Sequence, residues 1–346
     1  TCFSQALTFA QFAARTSRAG AGAAGGGGGE RSDGRVFYLQ TALARRGADA
    51  GSIEIEPVPG EAVRAAVIDL GAAIYRAADA SGARALLAHI ASAAHFGPWL
   101  RTALFASPRG LVTRVHYDHY DNIYFQLAGT KRVLLLDPLD GAAALCAYPV
   151  HHPLDQRARA HLDRAWDTAA GGARGAAARA SALEIELGPG DILVIPHHWW
   201  HHVETSCGSD DGLAISVNMW FDITHELAHS ALPLSPALLL ELSRHVEYYA
   251  VTAVGRERLA PFFDAAAIEL AAADDARSGA LADAAVARGT PRTELMVRNL
   301  LFVELATRWV GWAGLRPFFA DLLRAERFRG LPVVEPEMAG ADARAG

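Results

Sequence analysis

His116-Tyr117-Asp118 sets an imidazole and a carboxylate two residues apart, at the end of a β-type run that starts near Leu111. In a strand the side chains of residues i and i+2 leave the same face, so both metal-binding groups point together. A third ligand must come from elsewhere, and the segment Ile195 to His202 offers candidates in His197, His198, His201 and His202. Two imidazoles and one carboxylate make the face that holds non-heme Fe(II) and leaves coordination positions open for other ligands. Structural zinc more often takes closed Cys/His sets. With 14 histidines in the chain a chance His-x-Asp is an ordinary event, so the pair gains weight only from its surroundings.

The elements that would position these residues read as short strands. β-type segments recur at Leu111 to Tyr117, Asn122 to Leu127, Lys131 to Leu136, Ala182 to Leu187, Asp191 to Ile195 and Leu213 to Phe221. Ala128-Gly129-Thr130 and Gly188-Pro189-Gly190 supply the turn chemistry between neighbours. Many short strands so spaced predict a sandwich or jelly roll. Helices are expected before this core, over Pro59 to His95, and after it, over Ser235 to Ala253, Leu281 to Ala287 and Thr293 to Arg327, where apolar residues recur every three or four positions. The Gly-rich segment 20–34 reads as a flexible loop, the Ala/Gly/Arg-rich stretch 168–181 as an insertion, and 331–346 as a disordered tail. Leu259-Ala-Pro-Phe-Phe263 echoes Leu315-Arg-Pro-Phe-Phe319, too short an echo for a repeat architecture.

Composition narrows the class. A chain of 346 residues with 51% hydrophobic content can bury a full core. Its three cysteines lack a Cys-x-x-Cys spacing, which argues against a disulfide framework or a zinc ribbon. A net charge of -6 gives no support to a nucleic-acid surface. There is no run of eighteen or so apolar residues and no basic-then-apolar leader, so the expectation is a soluble cytoplasmic or nuclear protein with no membrane partner. Lys131 is the only lysine among 32 basic residues.

Several motifs in one order carry a resemblance: Thr113-Arg-Val-His116-Tyr-Asp118, Asn122-Ile-Tyr-Phe-Gln126, Gly129-Thr-Lys131-Arg, Tyr148-Pro-Val-His-His-Pro153, Gly188-Pro-Gly-Asp191 and Trp199-Trp-His-His202. The chain resembles the Jumonji-C family of 2-oxoglutarate oxygenases, and within it the protein-asparaginyl hydroxylases, with Tyr38-Leu39-Gln40 extending the likeness upstream. It is dense from about Val36 to Phe221 and returns over Met296 to Phe328, while Leu232 to Thr290 looks like extra material.

The resemblance implies a double-stranded β-helix core at about 100–222 within a catalytic domain 1–222, and a C-terminal helical region 223–330. It implies iron held by His116, Asp118 and His201, and 2-oxoglutarate held by Lys131, Thr113, Asn122, Tyr38 and Asn218, with O2 as the second cosubstrate. The chemistry agrees: a distal carboxylate wants a cation and hydroxyl donors, and asparagine amides suit the end nearer the metal. An isolated lysine in an arginine-rich chain fits a point-charge role. Tyr120, Trp220 and Gln40 are implied on the substrate side. Tyr120 stands where the asparaginyl hydroxylases have Gln, and Gln156 follows Asp155 where they have Arg, so this chain departs from that likeness on the substrate side. His197 and His198, where the family has Met and Tyr, read as supporting or surface histidines rather than further ligands.

The implied activity is hydroxylation of an extended polypeptide presenting Asn, Asp or His, for which an ankyrin-repeat protein is one carrier. A homodimer through the C-terminal helices is implied as well, and Leu295, Leu300, Leu301, Val303, Leu305, Trp309 and Val310 supply an apolar set for it. The alternatives are an N-methyl-lysine demethylase, which would carry a chromatin-reader or zinc module that the sequence does not display, and a cupin-like protein that binds metal without turnover.

Overall fold

Two antiparallel sheets face one another. The larger runs in the order β2 (Ile53–Glu54), β1 (Leu39–Arg46), β3 (Trp99–Pro108), β10 (Leu213–Phe221), β5 (Asp121–Ala128), β8 (Ile192–Ile195). The smaller runs β4 (Val112–His116), β9 (Trp200–Cys207), β6 (Thr130–Leu136), β7 (Leu183–Leu187). The computed structural model describes residues 39–46, 53–54, 89, 92–93, 95–160, 181–207, 213–223, 231–272 and 291–331. Tyr38, the segment 20–34, nearly all of 59–95 and 168–181, the stretch 281–287 and the tail from 332 lie outside them.

From β3 onward the chain passes repeatedly from one sheet to the other, which closes a cupin-like β-sandwich, as the strand spacing predicts. Six of the strands coincide with the β-type segments of the sequence. Gly129, at φ 67°, makes the reversal from β5 to β6 in a conformation that other residues adopt at a cost. β6 is apolar on both faces because both are buried. Val133 and Leu135 pack with Tyr124, Ile195 and Val203 between the sheets, whereas Leu134 and Leu136 turn outward into a second core.

That second core is built by helices. α1 (Pro138–Leu145) starts with Pro138 in its first turn and Asp137 Oδ1 accepting from the Leu139 amide at 2.8 Å. Gly141 lies against the Trp200 ring, where a Cβ would come within 2.0 Å of an indole carbon, and Trp200 Nε1 donates to the Pro138 carbonyl at 3.2 Å. This contact fixes the start of β9, next to His201. α2 (Pro236–Val254), α3 (Leu259–Ala272), α4 (Arg292–Arg308) and α5 (Gly311–Pro317) complete the layer.

The long helix expected over 293–327 is broken. Gly311 at φ 72° separates α4 from α5, Pro317 cannot donate to the preceding turn, and a π turn (Phe318–Leu322) and a 3-10 turn (Ala325–Phe328) follow. The two Phe-Phe echoes meet in one core, with Phe263 and Phe319 centroids 6.3 Å apart. The apolar set on α4 is split: Leu295 and Leu305 are buried, while Leu300 and Val303 face outward beside Met296. Among the described residues no helix is long and apolar enough to cross a membrane.

Candidate active site

The cavity between the sheets opens at the end where β4 and β9 pair, and strand alternation decides what lines it. From the larger sheet come Arg101, Phe105 and Ser107 on β3, Asn122 and Tyr124 on β5, and Asn218 and Trp220 on β10. From the smaller sheet come Thr113, His116, Lys131, His201 and Val203, and the loop 153–157 adds Asp155, Gln156 and Arg157.

His116 and His201 are directly opposed across the β4–β9 pair, past a bulge after Thr113 that turns His116 inward. Their rings lie 4.2 Å apart. Asp118 follows in the next loop, its Oδ2 4.0 Å from His201 Nε2, and one ligand atom from each of the three falls within 4.8 Å of the others.

Each ring is held in one tautomer. His116 Nδ1 lies 2.8 Å from the Arg114 carbonyl and His201 Nδ1 3.0 Å from the Trp199 carbonyl. A carbonyl only accepts, so both Nδ1 atoms carry the proton and both Nε2 lone pairs are free for a metal. Burial pushes the His116 imidazole down to about 3, with the neighbouring His201 adding to the shift. Burial pushes the Asp118 carboxyl up, but the electrostatic influence of His201 and His116 and a hydrogen bond from Trp220 together hold it below the usual carboxylate range. With His116 neutral and Asp118 ionised, two Nε2 donors and one carboxylate make a set that fits Fe(II).

Lys131 is 3% exposed and has no carboxylate partner among the described residues. Its Nζ donates to Tyr124 Oη at 2.7 Å and to Ser216 Oγ at 2.9 Å. Two hydroxyls do not neutralise a buried cation, and burial pulls the amine down to about 8. Asn218 Nδ2 donates to Asn122 Oδ1 at 3.3 Å, and Asn218 Oδ1 is buried without a partner. A dicarboxylate reaching from the metal face to Lys131 would meet amides first, and hydroxyls and a cation at its far end. The residues present therefore fit 2-oxoglutarate as well as iron.

Lys131, Thr113, Asn122 and Asn218, which the resemblance implies for 2-oxoglutarate, all line the cavity. Tyr38 lies outside the described residues, and Gln40 sits on β1 opposite Phe105. Tyr120 is not among the lining residues. Trp220 does line the cavity, and its Nε1 also donates to Asp118 Oδ2 at 2.9 Å. Sequence reasoning passed over Tyr124 and Ser216, although each stands two residues from a named asparagine on the same strand face.

It also set aside α2 as extra material. Arg244 on that helix grips Asp155 with two bonds of 2.7 and 2.8 Å and donates to Tyr117 Oη at 2.7 Å. Glu241, one turn earlier, meets His119 and His198. A helix contributed by the C-terminal region therefore braces the loops at the mouth of the cavity.

Residues 72–226 match the family model of the cupin-like domain. An HSPB1-associated protein 1 homolog from Danio rerio is 36% identical over 115 residues, covering 32% of this chain and 23% of its own. The bifunctional peptidase and (3S)-lysyl hydroxylase JMJD7 of Homo sapiens is 28% identical over 168 residues, 41% of this chain and 50% of its own. The lysine-specific demethylase JMJ32 of Arabidopsis thaliana is 26% identical over 178 residues, 42% of this chain and 51% of its own. The matches thus span about half or less of the length of these curated relatives. Among solved structures, a cupin superfamily protein from Desulfitobacterium hafniense shares 14% identity over 35% of this chain and 65% of its own, with a TM-score of 0.19. Residues 72–226 are thus similar to the cupin-like domain, and relatives that match at low identity are named as a bifunctional peptidase and lysyl hydroxylase and as a lysine-specific demethylase.

Proposed function

We propose that the protein is an Fe(II)- and 2-oxoglutarate-dependent hydroxylase of a polypeptide substrate. The observation that carries this reading is Lys131: a buried, uncompensated ammonium that opens on the same cavity as His116, Asp118 and His201. A cupin that only held a metal would have no use for a desolvated cation on the far side of the cavity, because burying an unpaired charge is destabilising. Bound iron, with 2-oxoglutarate and O2, supplies the oxidation: one oxygen atom enters a substrate C–H bond, and the other ends in succinate as CO2 leaves.

The protein's own part is positioning. His116, Asp118 and His201 hold one side of the metal and leave the other side free. Lys131, Tyr124, Ser216 and Thr113 take the distal carboxylate, and Asn122 and Asn218 line the path towards the metal. Phe105, Ile195 and Val203 exclude water.

The relatives named as lysyl hydroxylase and lysine demethylase support a polypeptide substrate. The mouth favours an amide or carboxylate side chain over a cationic one. Arg101 and Arg157 line the same cavity as His116 and Asp118, so two guanidinium groups border the metal face. A protonated lysine approaching them would be repelled, whereas Asn or Asp would be held. Asn or Asp of an extended segment, such as a loop of an ankyrin-repeat protein, is the preferred target, and the outward Met296, Leu300 and Val303 of α4 are the surface for a second copy.

The test is release of succinate from 2-oxoglutarate with Fe(II), together with mass spectrometry of peptides incubated with the enzyme. Gain of one oxygen on Asn or Asp is the expected result, while loss of a methyl group from lysine would make it a demethylase. Asp118→Ala and His201→Ala should each abolish turnover with the fold intact. Parent-like activity in either would remove the ligand assignment.

A further inference from the structure

About one residue beyond the iron-binding face lies a second group of metal-ligating side chains, drawn from three separate elements: His119 from the loop after β4, His198 from the turn before β9, and Glu241 from α2. His119 Nδ1 is 3.3 Å from His198 Nε2 and 3.3 Å from Glu241 Oε2, and His198 Nε2 is 2.9 Å from the same oxygen. Ligand bonds of about 2.0 to 2.1 Å in a tetrahedron put neighbouring ligand atoms about 3.3 Å apart. Two of the three edges already have that length, and the third needs a shift of a few tenths of an ångström.

We infer that His119, His198 and Glu241 form a second divalent-cation site, of zinc class, that clamps α2 to the two loops flanking the iron-binding face. Two imidazoles and a carboxylate are a borderline donor set suited to zinc. The site is closed on one side and open on the other: the His198 side chain is 0% exposed, that of Glu241 17% and that of His119 26%. The open side leaves an entry path and room for water as fourth ligand. His245, one turn along α2, has its Nε2 3.3 Å from the other oxygen of Glu241 and steadies that carboxylate.

His198 is held in place for the role. Its backbone sits at φ 62°, its amide donates to the Asp118 carbonyl at 2.7 Å, and its ring stacks on Tyr117 at 5.4 Å. The charged neighbour is Arg244, whose Nε is 3.6 Å from Glu241 Oε2 but whose terminal nitrogens are engaged by Asp155 and Tyr117. This site does not depend on the oxygenase reading. A cation there would join His119, which adjoins Asp118, to the helix that also holds Asp155.

The experiment uses the 346-residue chain carrying Asp118→Ala and His201→Ala, which removes the first metal face. After chelator treatment it is titrated with cobalt(II), a spectroscopic stand-in for zinc, and then with zinc itself in competition. One equivalent of cobalt with the intense visible bands of tetrahedral coordination is expected, displaced by zinc. Adding His119→Ala, on the open side, should weaken binding by about tenfold or more, and Glu241→Gln should do the same, with the circular dichroism of the metal-free protein unchanged. Absence of binding at micromolar metal in the starting protein would overturn the proposal. So would cobalt binding that survives both added substitutions at parent affinity, because three side chains bonded only to one another predict both of those results.

Discussion

Trp220 Nε1 donates to Asp118 Oδ2 at 2.9 Å, so the one carboxylate of the His116–Asp118–His201 group is oriented by a side chain from the opposite sheet. Partners of this kind set the direction of a metal ligand and steady its charge. Trp220→Phe keeps the aromatic packing against Phe105 and Arg101 but deletes the donor. It should lower metal affinity by about 10- to 100-fold and leave the melting temperature nearly unchanged. Calorimetric titration with manganese(II) as a redox-stable substitute measures it. Unchanged affinity would reduce Trp220 to a wall of the cavity.

Lys131 offers a second test, through its Nζ bonds to Tyr124 and Ser216. If its ammonium meets the distal carboxylate of 2-oxoglutarate, Lys131→Met forfeits a charge-assisted bond worth about 1.5 to 3 kcal/mol. That is roughly a ten- to 150-fold weaker cosubstrate, with metal binding little altered. Lys131→Arg should also be impaired, because a planar fork must fit where a compact ammonium was seated. Equal 2-oxoglutarate affinity in parent and Lys131→Met would take the lysine out of the site.

The Arg244–Asp155 pair tests whether α2 matters to the cavity. Both groups are largely buried and joined by two bonds. Arg244→Leu leaves Asp155 without its counter-charge, which should cost about 2 to 3 kcal/mol of stability. Since Asp155 lines the mouth, the variant should also raise KM for a peptide substrate more than it lowers uncoupled 2-oxoglutarate turnover. Urea unfolding and the two rate assays separate these effects. A loss confined to stability would make α2 a buttress only.

Much of this site was legible because strand periodicity projects directly into space. Asn218 and Trp220 are two apart on β10 and both reach the cavity, as do Asn122 and Tyr124 on β5, of which only Asn122 was singled out from the sequence, while Asp118 reaches it from the loop just past the end of β4. β9 was hidden for the opposite reason: Trp200-His-His-Val-Glu-Thr-Ser-Cys mixes polar and apolar residues without clean alternation, and is a strand because β4 and β6 flank it. Gly141 shows another limit, since its smallness serves a Trp200 ring that only folding brings near. No local pattern announces that Glu241, 43 positions after His198, joins it at the mouth. Such long-range meetings of polar residues are set by packing of α2 on the sandwich, and sequence spacing carries no trace of them.

The ionisation of Lys131 yields a prediction with two opposite signs. Burial holds the amine at about 8 in the free protein, well below its ordinary value. 2-Oxoglutarate requires the charged form, so above pH 8 binding must first draw a proton onto Lys131, and affinity should fall about tenfold between pH 7 and pH 9. Folding has the other dependence. Between about pH 8 and pH 10.5 the unfolded chain keeps the lysine proton that the folded protein has lost, so this residue's contribution to stability rises with pH through that window. The penalty of a buried charge is fully present below pH 8 and fades steadily until the unfolded chain also deprotonates near pH 10.5. Comparing the parent with Lys131→Met isolates the group from other titrations. The Met variant should be the more stable of the two at pH 7 by a margin that narrows towards pH 9.5, while its weak 2-oxoglutarate binding stays flat over the same range. A margin independent of pH would mean that Lys131 is charged in the folded protein throughout, and that its ammonium is already compensated without the cosubstrate.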